Sequence, residues 1–316
     1  MEHGEGAVEV LGLMKLQRPP YVFMNGRITP WDKATIHVAS EAALRAASVF
    51  EGIKGYWRHD GSEFAWLALR EHFDRLRRSA RLLHLPFSMS YDEFEGACGS
   101  LARKLLTNDR DLWLRTTLFA TEGHWGENTV SDLVITGYQL DKRRPDPIDI
   151  GISTWQRPAD AALPARIKST ANYQIGRLAR IEGRTQKLSD MILLNQHGRV
   201  AEASGSCVVL ARDGALITPS AAEGCLESIT VEIICKLSAT LNIAVERRPV
   251  DRTELYVADE MCLAGTLAEL IPVRRIASYE LPDRAPLIDR VANEFWDCVR
   301  GLRKHAGISL TPVHLT

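Results

Sequence analysis

Apolar residues recur at helical spacing over 70–83, where Phe73, Leu76, Ala80 and Leu83 share one face. A second helix is expected over 90–106, with Ser90 as its N-cap and Glu93 three residues on, the signature of a capping box. Alternation predicts strands at 48–57, 63–67, 112–120 and 131–137. The run 21–28 predicts a hairpin, with Asn25-Gly26 in its type I′ turn. Downstream, a strand over 148–154 precedes a helix over 169–186. Two hairpins follow, turning at His197-Gly198 and Asp213-Gly214. A helix is expected over 228–241, strands over 243–250, 260–263 and 273–278, and a closing helix over 285–303.

Runs of strands broken by a few helices predict an α+β fold rather than a doubly wound parallel sheet. The polar, proline-bearing stretch 141–147 reads as a linker between domains at 1–140 and 148–316, with a loosely held arm over 1–18. At 316 residues, two domains of ordinary size fit the chain. Its 45% hydrophobic and 25% charged content suits packed cores. A net charge of −1 gives no reason to expect nucleic acid or an anionic membrane. No apolar run is long enough to span a bilayer, and the acidic start lacks the basic head of a secretory signal. Six scattered cysteines without a CxxC pair suit free thiols in a reducing compartment, so cytoplasmic residence is expected and a metal site is not.

The candidate chemistry centres on Lys168, at the start of the 169–186 helix, and Glu202, on the extended segment after the first of the two later hairpins. A lysine can form an imine with an aldehyde cofactor, and a carboxylate can keep a pyridine nitrogen protonated as an electron sink. The pair therefore suits pyridoxal phosphate. Ser228-Ile229-Thr230 opens a helix, where free N–H groups attract an anion such as the cofactor phosphate. Arg75 could add a fork-shaped donor, and Thr266 after Gly265 a hydroxyl. Each residue also has an ordinary reading: a solvated lysine, a surface glutamate, a basic helix face with Arg77 and Arg78, a helix cap, or turn chemistry.

Several runs nevertheless resemble fold-type IV pyridoxal-phosphate enzymes, closest to branched-chain amino acid aminotransferases. They are Val49-Phe50-Glu51-Gly52-Ile53, the segment 70–76, Lys168 through Asn172-Tyr173, Ala201-Glu202-Ala203-Ser204-Gly205, Ile229-Thr230 and the segment 265–273. The resemblance implies a small N-terminal domain, a larger cofactor domain with a barrel-like sheet, and a homodimer or higher oligomer. It makes Lys168 the Schiff-base residue and proton carrier, and Glu202 the partner of the ring nitrogen. Tyr173 becomes the donor to the cofactor phenolate oxygen, with Arg75, Ile229, Thr230 and Thr266 as phosphate ligands. The Thr266-Leu267-Ala268 turn becomes the site of the substrate α-carboxylate. Arg115 would receive the distal carboxylate of glutamate or 2-oxoglutarate, and Phe50 would wall the side-chain pocket.

Departures fall on the substrate side. Arg45 and Trp113 stand where tyrosines are usual, and Leu267 replaces a small alanine. Ser228 replaces a glycine, and Ser206-Cys207 replaces Glu-Asn. Arg45 either points into the pocket or pairs with Glu41 at the surface. The expected reaction is ping-pong transfer of an amino group between an amino acid and a 2-oxo acid, with a branched-chain or specialised-pathway amino acid opposite glutamate. A lyase of the same fold, such as one acting on aminodeoxychorismate, and a non-catalytic binding protein are the alternatives.

Overall fold

The computed structural model describes residues 8–10 and 14–314. Two sheets carry the fold. The first has seven strands in the order Leu310–Pro312, Phe64–Leu67, Ser48–Trp57, Arg110–His124, Glu127–Asp141, Tyr21–Met24 and Arg27–Pro30. All of its pairings are antiparallel. Asn25 and Gly26 both take positive φ, as a type I′ turn requires. Helices Leu69–Leu82 and Tyr91–Leu105 cover one face, burying Phe73, Leu76, Phe94 and Leu101 against Ile53, Leu112, Leu114 and Leu118. The capping box at Ser90 and Glu93 is present.

Every residue of Ser48–Trp57 is buried, because both faces are covered. Val49, Glu51 and Ile53 point to the helices. Phe50, Gly52, Lys54 and Tyr56 point to the second half of the chain.

The second, nine-stranded sheet runs Val200–Ala203, Asp190–Leu194, Ile148–Gln156, Glu269–Ile276, Glu260–Gly265, Cys207–Arg212, Ala215–Thr218 and Ala244–Arg247, with Tyr279–Glu280 added on Glu269–Ile276. It is mixed, with parallel pairing of Ile148–Gln156 to both of its neighbours. Its curled interior holds Ile150, Ile192, Val208, Leu210, Leu263 and Ile271. Helices Ile229–Thr240 and Pro286–Val299 pack outside.

The loop 142–147 joins the two sheets. Three of the differences from the sequence reading bear on the architecture. A short helix, Glu41–Arg45, is capped by Ser40. The strand expected over 273–278 begins earlier, at Glu269. Leu310–Pro312 crosses from the second half to pair with Phe64–Leu67. The arm lies partly outside the described residues; within it, Val8–Val10 pairs with Met14–Leu16.

Candidate active site

Lys168 lies at the joint between the sheets. Its N–H donates to Ser79 Oγ at 3.2 Å, and its carbonyl accepts the Phe50 N–H at 3.0 Å. The next residues continue the staple, with an isolated bridge between Ser169 and Val49 and a 2.6 Å contact between the Thr170 and Ser48 hydroxyls. The backbone is thereby fixed while the side chain projects into the interior, 9% exposed. Its Nζ lies 2.5 Å from the Tyr173 hydroxyl and 4.9 Å from the Phe50 ring centroid. Phe50 meets Tyr173 edge-on at 4.7 Å.

Tyr173 opens helix Tyr173–Thr185. That helix presses on the Glu202 segment at Gly176, where a Cβ would come within 2.1 Å of the Ser204 carbonyl oxygen. Any larger residue there would drive Tyr173 and Glu202 apart. Glu202 accepts the Leu226 N–H at 3.0 Å and sits 3.3 Å from Arg157 Nε. Arg157 is buried and donates also to the carbonyls of Asn172 and Gly224. Arg157 is thereby the ion-pair partner of Glu202. Arg157 escaped the sequence reading, since nothing in Trp155-Gln156-Arg157 distinguishes it from a surface base.

A candidate anion cradle lies at the start of helix Ile229–Thr240. Ser228 caps that helix by accepting the Val231 N–H. No acceptor among the described residues takes the N–H groups of Ile229 and Thr230. Arg75 joins them by donating from Nη1 to the Glu227 carbonyl at 2.7 Å. Its other side grips Glu51 through Nε and Nη2, both at 2.7 Å. His72 Nδ1 lies 2.7 Å from the same carboxylate. Burial alone would raise the pKa of Glu51. The charge and hydrogen bonds of Arg75, helped by His72, override it and hold the pKa at about 2. This cluster was legible in principle: an acid on the apolar face of a buried strand needs a cation, and Arg75 lies on the helix packed there. Burial first, and the Glu202 charge second, push the nearby Cys207 thiol up to about 12, so it stays uncharged.

The floor is the sheet face opposite those helices. Register sets Gly52 across from Arg115 and Lys54 across from Trp113, which pairs in turn with Tyr138. Trp113 covers Gly52 so closely that a Cβ there would lie 2.8 Å from Nε1. Arg115 stacks on Phe50 at 3.9 Å. Burial pulls its guanidinium below its usual pKa, and only the phenols Tyr173 and Tyr138 oppose that. Leu267 packs on the Trp113 and Tyr138 cluster, so two of the departures touch one another. Thr266 and Ala268 flank it in the turn between Glu260–Gly265 and Glu269–Ile276. Arg45 is not brought to Lys168. It is exposed, pairs with Glu41 at 2.6 Å and stacks on Trp125 at 4.4 Å, which is the surface alternative of its two readings.

A buried amine, a carboxylate paired with an arginine, and a second arginine joined to a helix start with free N–H groups match the aldehyde, ring nitrogen and phosphate of pyridoxal phosphate. Fold and site define a fold-type IV pyridoxal-phosphate enzyme. Residues 48–276 match the family Amino-transferase class IV, and the chain belongs to that family. A branched-chain-amino-acid aminotransferase of Salmonella typhimurium is 31% identical over 312 residues, 95% of this chain and 100% of the relative. The PLP form of the Thermobaculum terrenum branched-chain amino acid aminotransferase superposes with a TM-score of 0.83 at 33% identity, covering 94% of this chain and 99% of that one. The Escherichia coli branched-chain amino acid aminotransferase gives 0.86 at 29% identity, covering 94% and 99%. A third such enzyme, solved in complex with N-(5'-phosphopyridoxyl)-L-glutamate, gives 0.85 at 25% identity, covering 92% and 97%. The protein is a pyridoxal-phosphate-dependent aminotransferase acting on an amino acid and a 2-oxo acid. Family and relatives do not favour the lyase alternative.

Proposed function

We propose that this aminotransferase exchanges the amino group of an aliphatic, branched-chain amino acid with 2-oxoglutarate, and that Lys168 is its catalytic residue. The observation that carries the substrate reading is the floor, where a buried cation, Arg115, stacks on an aromatic wall. Such a pocket takes a hydrocarbon side chain against Phe50 or a distal carboxylate against Arg115. The names of the relatives support the branched-chain half, and the phosphopyridoxyl-glutamate complex of the third solved enzyme supports the other.

When bound, the cofactor supplies the aldehyde that receives the amine and a ring that stabilises charge left at the substrate Cα. Arg75 and the N–H groups of Ile229 and Thr230 hold the phosphate, with Thr266 adding its hydroxyl. Glu202, paired with Arg157, would hold a proton at the ring nitrogen. Tyr173 donates to the phenolate oxygen and keeps its hydroxyl beside Lys168 Nζ. Lys168 Nζ would accept and give back the proton at the substrate Cα, a transfer that needs only a small swing of an otherwise fixed residue. The N–H groups of the Thr266-Leu267-Ala268 turn receive the α-carboxylate, while Trp113 and Leu267 shape the side-chain pocket. We further infer a cytoplasmic homodimer. The free thiols support the compartment, and among the described residues no helix is long and apolar enough to cross a membrane.

The decisive experiment offers the cofactor-loaded enzyme single amino donors without an acceptor. Leucine, isoleucine, valine and glutamate should each convert the bound cofactor to its pyridoxamine spectrum. If only a polar or aromatic amino acid does so, the branched-chain assignment is wrong.

Two variants probe separate parts of the site. Arg115→Ala should lower kcat/KM for 2-oxoglutarate by roughly 10–100-fold, the value of a lost charge-assisted hydrogen bond, and should spare 4-methyl-2-oxopentanoate. Equal losses for both acids would remove Arg115 from the distal-carboxylate role. Glu202→Ala should lower kcat by about 100-fold or more and enlarge the isotope effect with a Cα-deuterated donor. An unaltered kcat would detach Glu202 from the ring nitrogen.

A further inference from the structure

We infer that Lys54 and Glu269 form a strut that sets the position of the 266–268 turn, which makes both of them positioning residues for the substrate α-carboxylate. The inference rests on the proposed reading of that turn. Lys54 shares the floor face with Phe50 and Gly52, and its ammonium meets Glu269 Oε1 at 2.6 Å. The two side chains are 3% and 4% exposed. They join strand Ser48–Trp57 of the first sheet to the first residue of Glu269–Ile276 in the second.

Glu269 directly follows the turn, and its φ of +54° is in the left-handed region. A residue with a Cβ holds that conformation when its surroundings over-determine it. The ion pair supplies such a constraint: the carboxylate cannot leave Lys54 without stranding two charges out of water. Packing is incomplete beside it. A cavity of about 630 Å³ adjoins the turn and is lined in part by Lys54, Leu267, Ala268 and Glu269. The turn therefore has two ties to the floor, Leu267 in the Trp113 cluster and the Lys54–Glu269 pair. Tyr56 lies beneath the ammonium, with its ring centroid 5.1 Å away. Burial, and then the Glu269 charge, hold its phenol protonated, so it adds no second anion to compete for Lys54.

An α-carboxylate is common to every amino donor and every 2-oxo acceptor. Loosening the strut should therefore weaken both half-reactions alike, unlike a change at Arg115. The test is Lys54→Met combined with Glu269→Gln, which leaves neither charge buried alone, with Lys54→Arg as the conservative control. In the cofactor-loaded double variant, KM for leucine and for 2-oxoglutarate should rise together by roughly tenfold. The Kd of unreactive 4-methylpentanoate, read by spectral titration, should rise by the same factor. kcat should stay within about threefold, cofactor affinity should be unchanged, and Lys54→Arg should behave as wild type. Lys54→Gln combined with Glu269→Gln, which likewise strands no charge, gives the same readout if the first double variant fails to fold. Unchanged KM and Kd, a rise confined to one substrate, or a loss of cofactor affinity in their place would overturn the inference. A wild-type enzyme that transaminates no donor sinks the proposed function instead, and shows it before any variant is made.

Discussion

A Lys168→Ala variant should lose turnover by roughly 10⁴-fold or more, the upper end of what a positioned proton-transfer group contributes. Lys168 would serve twice, as the amine that bonds the cofactor and as the base that moves the proton. Among the described residues no other lysine stands beside the Phe50 and Tyr173 rings, so no neighbour can substitute. The variant should still fold, because its ties to Ser79 and Phe50 run through the Lys168 backbone. It should also still bind cofactor, since Arg75, the helix start and Glu202 remain. Added methylamine should restore part of the rate. Turnover within tenfold of wild type would take the catalytic role away from Lys168.

Glu51→Ala should be the most damaging change to stability. Removing one member of a buried ion pair costs about 3–5 kcal/mol, because the other charge is left without a partner. Here Arg75 loses its two 2.7 Å contacts to Glu51, and His72 loses its partner carboxylate. The pKa of Glu51 gives a second handle. It is depressed on folding from 4.5 to about 2, so the carboxylate stabilises the fold above pH about 4.5 and loses that contribution as pH falls toward 2. The shift corresponds to roughly 3 kcal/mol. Denaturant titrations of wild type and variant should differ most above pH 4.5 and converge below it. A gap that stays constant across that window would mean that Glu51 acts through packing rather than charge. Cofactor affinity should fall as well, since Arg75 would no longer be aimed at the cradle.

The sequence was most readable where local chemistry and pattern agreed. The Asn25-Gly26 turn and the Ser90–Glu93 box require only neighbours, and both occur as expected. Helix Glu41–Arg45 was missed because five residues cannot display a helical period, although Ser40 and Glu41 carry a cap and an acidic first turn. Leu310–Pro312 was missed because its partner lies far away in sequence, and three residues show no alternation. In the site, Lys168, Glu202 and the Ser228 helix start sit on recognisable motifs. Arg157 and Lys54 carry no such mark, and Glu269 lies in the 265–273 run without its partner being readable, since an ion pair between distant segments leaves no spacing to read. Arg45 shows the reverse: its i−4 neighbour Glu41 was visible, and that local partner claimed it.

The crossing of Leu310–Pro312 onto Phe64–Leu67 bears on biosynthesis. As the polypeptide leaves the ribosome, the Phe64–Leu67 edge emerges early and stays bare until the complementary segment is made. Throughout that interval it is an open template for mispairing with other nascent chains. Truncations ahead of Leu310 should therefore yield aggregates rather than a smaller soluble enzyme, even though every residue assigned to chemistry would already be present.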